Sequence, residues 1–446
     1  MVHQDRVDDV PHEHRVHRPG QWLPTDHRIH KDWMDSIIEK VDANPKEYHP
    51  VIKEFRDMIE NNTRIHLLVS SMFEQIPSKK PYSKDPEGHK QVRDYEHMLM
   101  LFNHILTTAP EWSDRNYGIG MVGTPLNAIL DWPMGTPSGF AFFLDPEVNK
   151  MMKKVLNAWG EYLSSPPSAY VLGNDSIGWF SDHGTSDLSA TANIGKTSYK
   201  FEELFKCDPN AKNHGFKSWD EFFTRHFHED KRPIASPDDD AAIANACESK
   251  PYNVARNIAA RDRFWIKGQP YSLLDMLDHD PLHEHFIGGT IYQAFLSALS
   301  YHRWHAPIPG TVKKAYVKDG TYFSEPLFEG LGDPSTNDIN EGGETNGQGY
   351  LTATATRAII YFEADNKDIG LVAFLGIGMT EVSTCDITVK EGQHVKKGDE
   401  IGMFHYGGST HCVIFRKGLE LDEFPEIGGE HNVPVRSKLA VVKKSS

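Results

Sequence analysis

Two short stretches of the chain carry side chains able to do covalent chemistry. The first is Phe404-His405-Tyr406-Gly407-Gly408-Ser409-Thr410, in which a serine follows two glycines. A serine hydroxyl becomes a nucleophile only when a base takes its proton. Glycines before it allow backbone geometries, strained ones included, in which the hydroxyl reaches a neighbouring carbonyl. The second stretch is Tyr301-His302-Arg303-Trp304-His305-Ala306-Pro307. Imidazole takes and returns protons near neutral pH, so this histidine pair suits a base and an acid. Each stretch alone also fits a plain fold, since Gly-Gly-Ser is a common turn and histidines pack well. The serine is not on a nucleophile elbow: that motif places a glycine two residues later, where His411 stands here.

The elements that must hold these residues fall into two textures. From about residue 38 to 195 the chain reads as helical. Asn62 or Thr63 can cap a helix whose buried stripe is Ile65, Leu68, Val69, Met72, Phe73 and Ile76. Tyr95, Met98, Leu99, Phe102 and Leu106 repeat the pattern. Asp145-Pro146 is a cap with proline at the first helical position, followed by Val148, Met151, Met152, Val155, Trp159 and Tyr162 on one face. After residue 196 one more helix is expected from Thr290, with Ile291, Phe295 and Leu299 on one side. Short β-rich runs follow at Gly310 to Tyr316, Ala358 to Glu363, Gly370 to Leu375, Ile387 to Val389 and Gly408 to Phe415. The polar stretch Ser324 to Tyr350 is either without fixed structure or a lid over a site. Val389 to Phe404, with Gly392 and Gly398 at turns, resembles the flattened β-barrel of lipoyl and biotinyl carrier domains. It lacks their lysine-bearing tip, so the resemblance implies a β-rich architecture and not a swinging arm.

Composition narrows the class. At roughly 150 residues per domain, the 446 residues make two or three domains. Hydrophobic residues are 39% and charged residues 25%, the balance of a soluble globular protein. Lys plus Arg total 47 against 63 Asp plus Glu, a net charge of -16 that argues against nucleic acid or an anionic membrane as partner. The longest apolar run, Leu371 to Met379, is far short of a membrane span. The opening residues lack the apolar stretch of a signal peptide, so a cytoplasmic protein is expected. Cys207, Cys247, Cys385 and Cys412 form no disulfide framework and are expected to be reduced. His12-Glu13-His14 and the cluster His279, His283 and His285 lack metal-ligand spacing, so no metal is expected.

Taken together and in order, further motifs join the two stretches. They are Phe222-Phe223-Thr224-Arg225, Arg232-Pro233-Ile234, Ala246-Cys247-Glu248-Ser249, and Gly378-Met379-Thr380 running on to Thr384. With His302 to His305 and Gly407 to Thr410, this series resembles the phosphatidylserine decarboxylase family over about the last 225 of 446 residues. Ala158-Trp159-Gly160, Leu163-Ser164-Ser165 and Ala246 to Ser249 extend the likeness to fungal pyruvoyl-type aromatic amino acid decarboxylases over nearly the whole chain. The fold this implies is α+β, a helical N-terminal domain followed by a β-rich catalytic domain with a barrel-sandwich core. The expected boundaries are a polar arm at 1–37, a helical domain at 38–195 and a catalytic domain at 196–446.

The resemblance also implies a mechanism. Ser409 attacks the Gly408 carbonyl, the chain is cut between 408 and 409, and Ser409 becomes a pyruvoyl group while the two pieces stay associated. His305 matches the base for this cut, and His302 matches the residue that assists proton return after decarboxylation. Glu248 stands where the family usually has an aspartate to orient the base, with one extra methylene. A pyruvoyl carbonyl does the work that pyridoxal phosphate does elsewhere, and no pyridoxal lysine motif is evident. The expected reaction is decarboxylation of L-tryptophan, with other aromatic L-amino acids as further substrates. The ring's slot is expected near Ser324 to Tyr350 or in the helical domain. A phosphatidylserine decarboxylase is the alternative. A non-catalytic binding module would have lost the Gly-Ser or the histidine pair, and both are intact.

Overall fold

The computed structural model describes residues 11, 26–76, 82, 91–112, 124–261, 271–324, 343–382, 384–406, 409–429 and 431–443. They divide into two compact units. One draws on Met1–Gly184, Lys217–Trp219 and Gly320–Leu351; the other on Thr185–Phe216, Asp220–Asp319 and Thr352–Ser446.

The first unit is helical. Its first helix, His27–Ala43, begins inside the stretch expected to be a polar arm, with Asp26 as its cap. Asn62 caps Thr63–Glu74 by accepting from Ile65 N, and Ile65, Val69, Met72 and Phe73 are buried. The expected stripe ends there: Ile76 lies past the helix and is 55% exposed. Asp145 caps Pro146–Leu163, accepting from Glu147 N at 2.8 Å, and the proline loses nothing at the first turn because its missing N–H has no partner there. Trp159 on the buried face also donates its indole N–H to the Thr108 carbonyl at 2.9 Å. Among the described residues no helix is long and apolar enough to cross a membrane.

The second unit is built on strands. In chain order these are β1 Ala242–Ala244, β2 Lys250–Arg256, β3 Thr290–Leu296, β4 Arg303–His305, β5 Gly310–Lys318, β6 Arg357–Ala364 and β7 Leu371–Gly378. Then come β8 Thr384–Ile387, β9 His394–Val395, β10 Glu400–His405, β11 Ser409–Phe415, β12 Leu421–Asp422 and β13 Lys438–Val442. Seven form one antiparallel sheet in the order β2-β3-β11-β7-β6-β5-β9. Two three-stranded sheets, β4-β10-β8 and β1-β13-β12, complete the unit. One face of the large sheet, with Ile291, Ile359, Tyr361, Leu375, Cys412 and Ile414, packs under Tyr271, Leu273, Met276 and Phe286.

Three expectations change. The helix expected from Thr290 is strand β3, and nearly all of its residues are buried. A strand covered on both faces loses the alternation that betrays it, so its apolar spacing mimics a helix. Of the polar stretch Ser324 to Tyr350, residues 325–342 lie outside the described residues, while Gly343–Thr354 is a helix. The strand expected at Ile387 to Val389 ends at Ile387. His12 and His14 lie outside the described residues. The four cysteines are free.

One indole fastens β4 to the large sheet. A Cβ on Gly376 of β7 would lie 2.8 Å from Trp304 Cζ2, and one on Gly402 of β10 would lie 2.5 Å from Trp304 Cε3. The ring thus fills the space that two absent side chains leave, with Phe374 at 5.4 Å and Phe404 at 4.6 Å between centroids. Because Gly402 blocks retreat, Gly376→Ala is expected to destabilise the protein by about 1–3 kcal/mol, the range for overpacking a tight core. Urea unfolding would show a lower midpoint at unchanged slope; an unchanged midpoint would mean the indole has room to move.

Candidate active site

Ser409 opens β11, a strand bonded on both sides, opposite Leu296 of β3 and Gly378 of β7. It is fully buried, and its Oγ makes no hydrogen bond. Thr410 faces the other way and is fully engaged: its hydroxyl donates to the Ala294 carbonyl at 3.0 Å and accepts from Gln293 Nε2 at 3.1 Å. Directly paired residues share a face, as do residues two apart. Ser409 therefore shares its face with His411, Gly376 and Gly378, the face on which Trp304 lies. Gly407 and Gly408, the rest of the expected cleavage motif, lie outside the described residues.

The histidine stretch follows the same alternation. Trp304 turns to the large sheet, whereas Tyr301 and His305 line a cavity of about 210 Å³ together with Arg232, Glu400 and Arg436. His302 has the parity of Trp304. Its ring stacks on Phe223 at 4.2 Å, and its carbonyl accepts from Phe404 N at 3.0 Å. Burial pushes its pKa down to about 3, with the Arg225 charge acting in the same direction. His302 is a neutral imidazole at working pH.

His305 is held at both nitrogens. Nδ1 lies 2.8 Å from the Gly398 carbonyl, and Nε2 lies 2.9 Å from the Tyr301 hydroxyl. Arg436 Nε sits 3.2 Å from Nδ1 and 3.1 Å from the same carbonyl. A bare Nδ1 lone pair at 2.8 Å from a carbonyl oxygen would be repelled, so the proton is on Nδ1 and Arg436 donates to Gly398. The remaining lone pair, on Nε2, accepts from Tyr301. Burial, reinforced by the Arg436 charge, lowers this pKa to about 3 as well.

Glu248 is buried, but its bonds run elsewhere. It accepts from Arg232 Nε at 2.8 Å and from Val435 N at 2.8 Å, while Arg232 Nη2 closes a two-pronged pair. The bonds that orient His305 come instead from Gly398 and Tyr301. Glu248 remains close in the chain, because Ala246, two residues earlier, accepts the backbone N–H of His305 at 2.8 Å. The other motifs find their places too. Phe223 supplies the His302 stack, and the Thr224 carbonyl accepts from Arg303 Nε at 2.6 Å. Arg225, wedged against Phe205 and Phe222, donates to the Leu299 carbonyl at 2.7 Å.

Sequence reasoning missed Tyr301, the Gly398 carbonyl, Arg436 and His411. Tyr301 stood in the quoted stretch, four residues before the histidine it binds. Gly398, with φ +82°, was legible as a turn but not as a carbonyl aimed at an imidazole. Nothing in the local sequence marks Arg436. His411 drew notice only for the glycine it replaces.

Comparison with known proteins places the chain in a family. Phosphatidylserine decarboxylase family profiles match residues 49–188 and 219–436. A decarboxylase of Amanita muscaria, iboD, is 42% identical over 332 residues, covering 72% of this chain and 92% of its own. L-tryptophan decarboxylases of Psilocybe cyanescens and Psilocybe cubensis are 36% and 34% identical, each match covering 91% of both chains. The phosphatidylserine decarboxylase proenzyme 2 of rice is 27% identical over 63% of this chain and 39% of its own. These relatives make the chain a carboxy-lyase on an α+β framework. The chain belongs to the phosphatidylserine decarboxylase family.

One histidine of the site is charged. His405, four residues before Ser409, places Nδ1 2.8 Å from Asp220 Oδ1 and Nε2 3.8 Å from Asp386 Oδ2. Burial alone would lower its pKa, but the two carboxylates outweigh it and raise the value to about 9. Because the folded value lies above the ordinary 6.5, the stabilisation is complete below about pH 6.5 and disappears as pH rises through about 9. It amounts to on the order of 3 kcal/mol. The stability gap between wild type and His405→Gln in urea titrations is therefore expected to be wide at pH 6 and to close by pH 10. A gap independent of pH would show that His405 is not held as a cation.

Proposed function

We propose that this chain is a self-cleaving, pyruvoyl-dependent decarboxylase of free aromatic L-amino acids, with L-tryptophan as its main substrate. The observation that carries the reading is Ser409: a buried hydroxyl with no hydrogen bond, at the head of a central strand. Buried polar groups are nearly always paired, so an exception at this position is a group kept for reaction. The Psilocybe relatives support the substrate, since they match over 91% of this chain and 91% of their own, whereas the rice lipid enzyme matches over 63% of this chain and 39% of its own. The net charge of -16 also disfavours approach to an anionic bilayer.

The steps follow from residues of the chain. Ser409 Oγ attacks the Gly408 carbonyl and turns the amide into an ester. Elimination frees residues 1–408 and leaves an unsaturated residue 409, which takes up water and loses ammonia. A pyruvoyl group at residue 409 would supply a carbonyl for the substrate amine and an electron sink for the decarboxylation. His305 accepts the Ser409 proton through Nε2, the nitrogen that Tyr301 occupies in the uncut chain. His302 handles the proton that returns to the substrate carbon. Glu248 acts at one remove, fixing with Arg232 the segment whose Ala246 carbonyl anchors His305. The pairing of β11 with β3 and β7 keeps the small piece in place after the cut. The indole wedged between β7 and β10 supports a two-layered, barrel-sandwich core. A second reading, decarboxylation of phosphatidylserine, draws on the family profiles and on the weaker matches to phosphatidylserine decarboxylase proenzymes. The 42% identity to iboD, above that to either tryptophan enzyme, makes a broad amino acid panel the right assay.

Intact mass of active protein is expected to show a 1–408 chain and a pyruvoyl-blocked piece of 446 - 408 = 38 residues. Ser409→Ala should remain whole and inactive. Active protein at the full uncut mass would sink the mechanism. Tryptamine from L-tryptophan without added pyridoxal phosphate is the expected product. Amine from phosphatidylserine vesicles, with none from any free amino acid, would establish the lipid reaction in its place.

The two histidines should separate by readout. His305→Ala is expected to block cutting, and His302→Ala to cut yet lose at least tenfold in kcat. Normal cutting by His305→Ala would remove it as the base.

A further inference from the structure

We propose that His411 is a substrate-contacting residue that selects amino acids whose flat side chain carries a hydrogen-bonding edge, such as an indole N–H or a phenol O–H. The inference rests on the reading of Ser409 as the residue to which substrate is joined. Ser409 and His411 are the first and third residues of β11 and point to the same face of it. Two residues of strand span about 7 Å, so a side chain extending along that face from residue 409 arrives at the His411 ring.

His411 is fully buried, and neither ring nitrogen meets a partner with good hydrogen-bond geometry, although the Ala294 backbone lies near enough to favour its protonated form. Burial pushes its pKa down to about 3, against a weaker opposing pull from the Ala294 backbone. The ring is therefore neutral, with one N–H to donate and one lone pair to accept. Leaving both idle in a packed interior costs stability that a phenylalanine here would not. The neighbours say what kind of ligand is wanted. Phe374 stacks near the ring at 6.0 Å and 26°, and Tyr292 meets it edge-on at 5.9 Å. The Trp304 ring continues this wall 5.4 Å from Phe374. Apolar ring walls with one polar group fixing orientation are the usual make-up of a selective small-molecule site. Such a polar group rejects ligands that leave it unpaired far more strongly than an apolar wall rejects a small change in size.

The neutral histidines assigned to the reaction do not duplicate this position. His305 is occupied by Gly398 and Tyr301; His302, whose ring nitrogens are likewise without a well-formed hydrogen bond, stacks on Phe223 and stands off β11. His411 is the buried imidazole on β11 itself, and it follows residue 409 into the small piece.

The test is His411→Phe, which keeps a flat ring and removes both nitrogens. Mass spectrometry should show normal cutting, since neither Ser409 nor His305 is touched. In wild type, kcat/KM for L-tryptophan or L-tyrosine is expected to exceed that for L-phenylalanine at least tenfold. In His411→Phe the ratio should fall below threefold, chiefly through KM for the polar-edged substrates. A readout without turnover accompanies it: tryptamine should raise the wild-type melting temperature more than 2-phenylethylamine does, and the variant should not distinguish them. If amine forms and both discriminations survive in His411→Phe, the residue only packs, and the proposal is overturned. If cut wild type yields no amine from any aromatic amino acid, the substrate reading above falls and takes this proposal with it.

Discussion

The Trp304 indole sits where two side chains have been left out. Glycine at 376 and at 402 lets the ring touch the backbones of β7 and β10 at once. That contact sets the distance between the strand carrying His305 and the sheet carrying Ser409. Between the two sheets here Cys385 Sγ of β8 reaches the Gly376 carbonyl of β7 at 3.5 Å, a weak thiol bond that leaves the spacing to the ring. A close-packed aromatic ring resists compression and leaves no void to collapse into, so it acts as a rigid spacer. The motif residues around it, Phe223 under His302 and Thr224 on Arg303, then fix the direction of the histidine stretch about that spacer.

The electrostatics divide the histidines into two kinds. His302, His305 and His411 are driven neutral by burial, while His405 is kept charged by Asp220 and Asp386. The division follows from the partners alone. Where a carbonyl, a hydroxyl or an aromatic ring is the neighbour, desolvation decides; where two carboxylates converge, it is overruled. A neutral imidazole in a dry site offers a lone pair without carrying a charge that would repel a protonated amine. The charged one clamps the end of β10, four residues before Ser409, to Asp220.

Much of this was legible in the sequence, and the gaps have physical causes. Caps at Asn62 and Asp145 were readable because the signal lies within a few residues. Strands β5, β6, β7 and β11 showed as short apolar runs. β3 did not, because burial on both faces erased its alternation. Ordered motifs pointed to Ser409 and the histidine pair, and the fold buries all three. The partners of those residues did not show, because Arg436 and the Gly398 carbonyl reach His305 across long stretches of chain. Glu248 illustrates the limit: its type suggested a role on His305, and only the fold reveals Arg232 as its partner.

The small piece expected from the cut begins with β11, an interior strand of the largest sheet. It also contains β12 and β13, which pair with each other and with β1. It is thus stitched into the remainder at two separate sheets. In the uncut chain that insertion is a local event, a few residues past β10, with little loop entropy to overcome. Once the link is gone, the same pairing must be made between two molecules at dilute concentration, and the unpaired edges of β3 and β7 invite aggregation first. A chain cut as proposed would therefore be a single-use assembly, its lifetime set by how slowly β11 leaves and not by any equilibrium with an unfolded state.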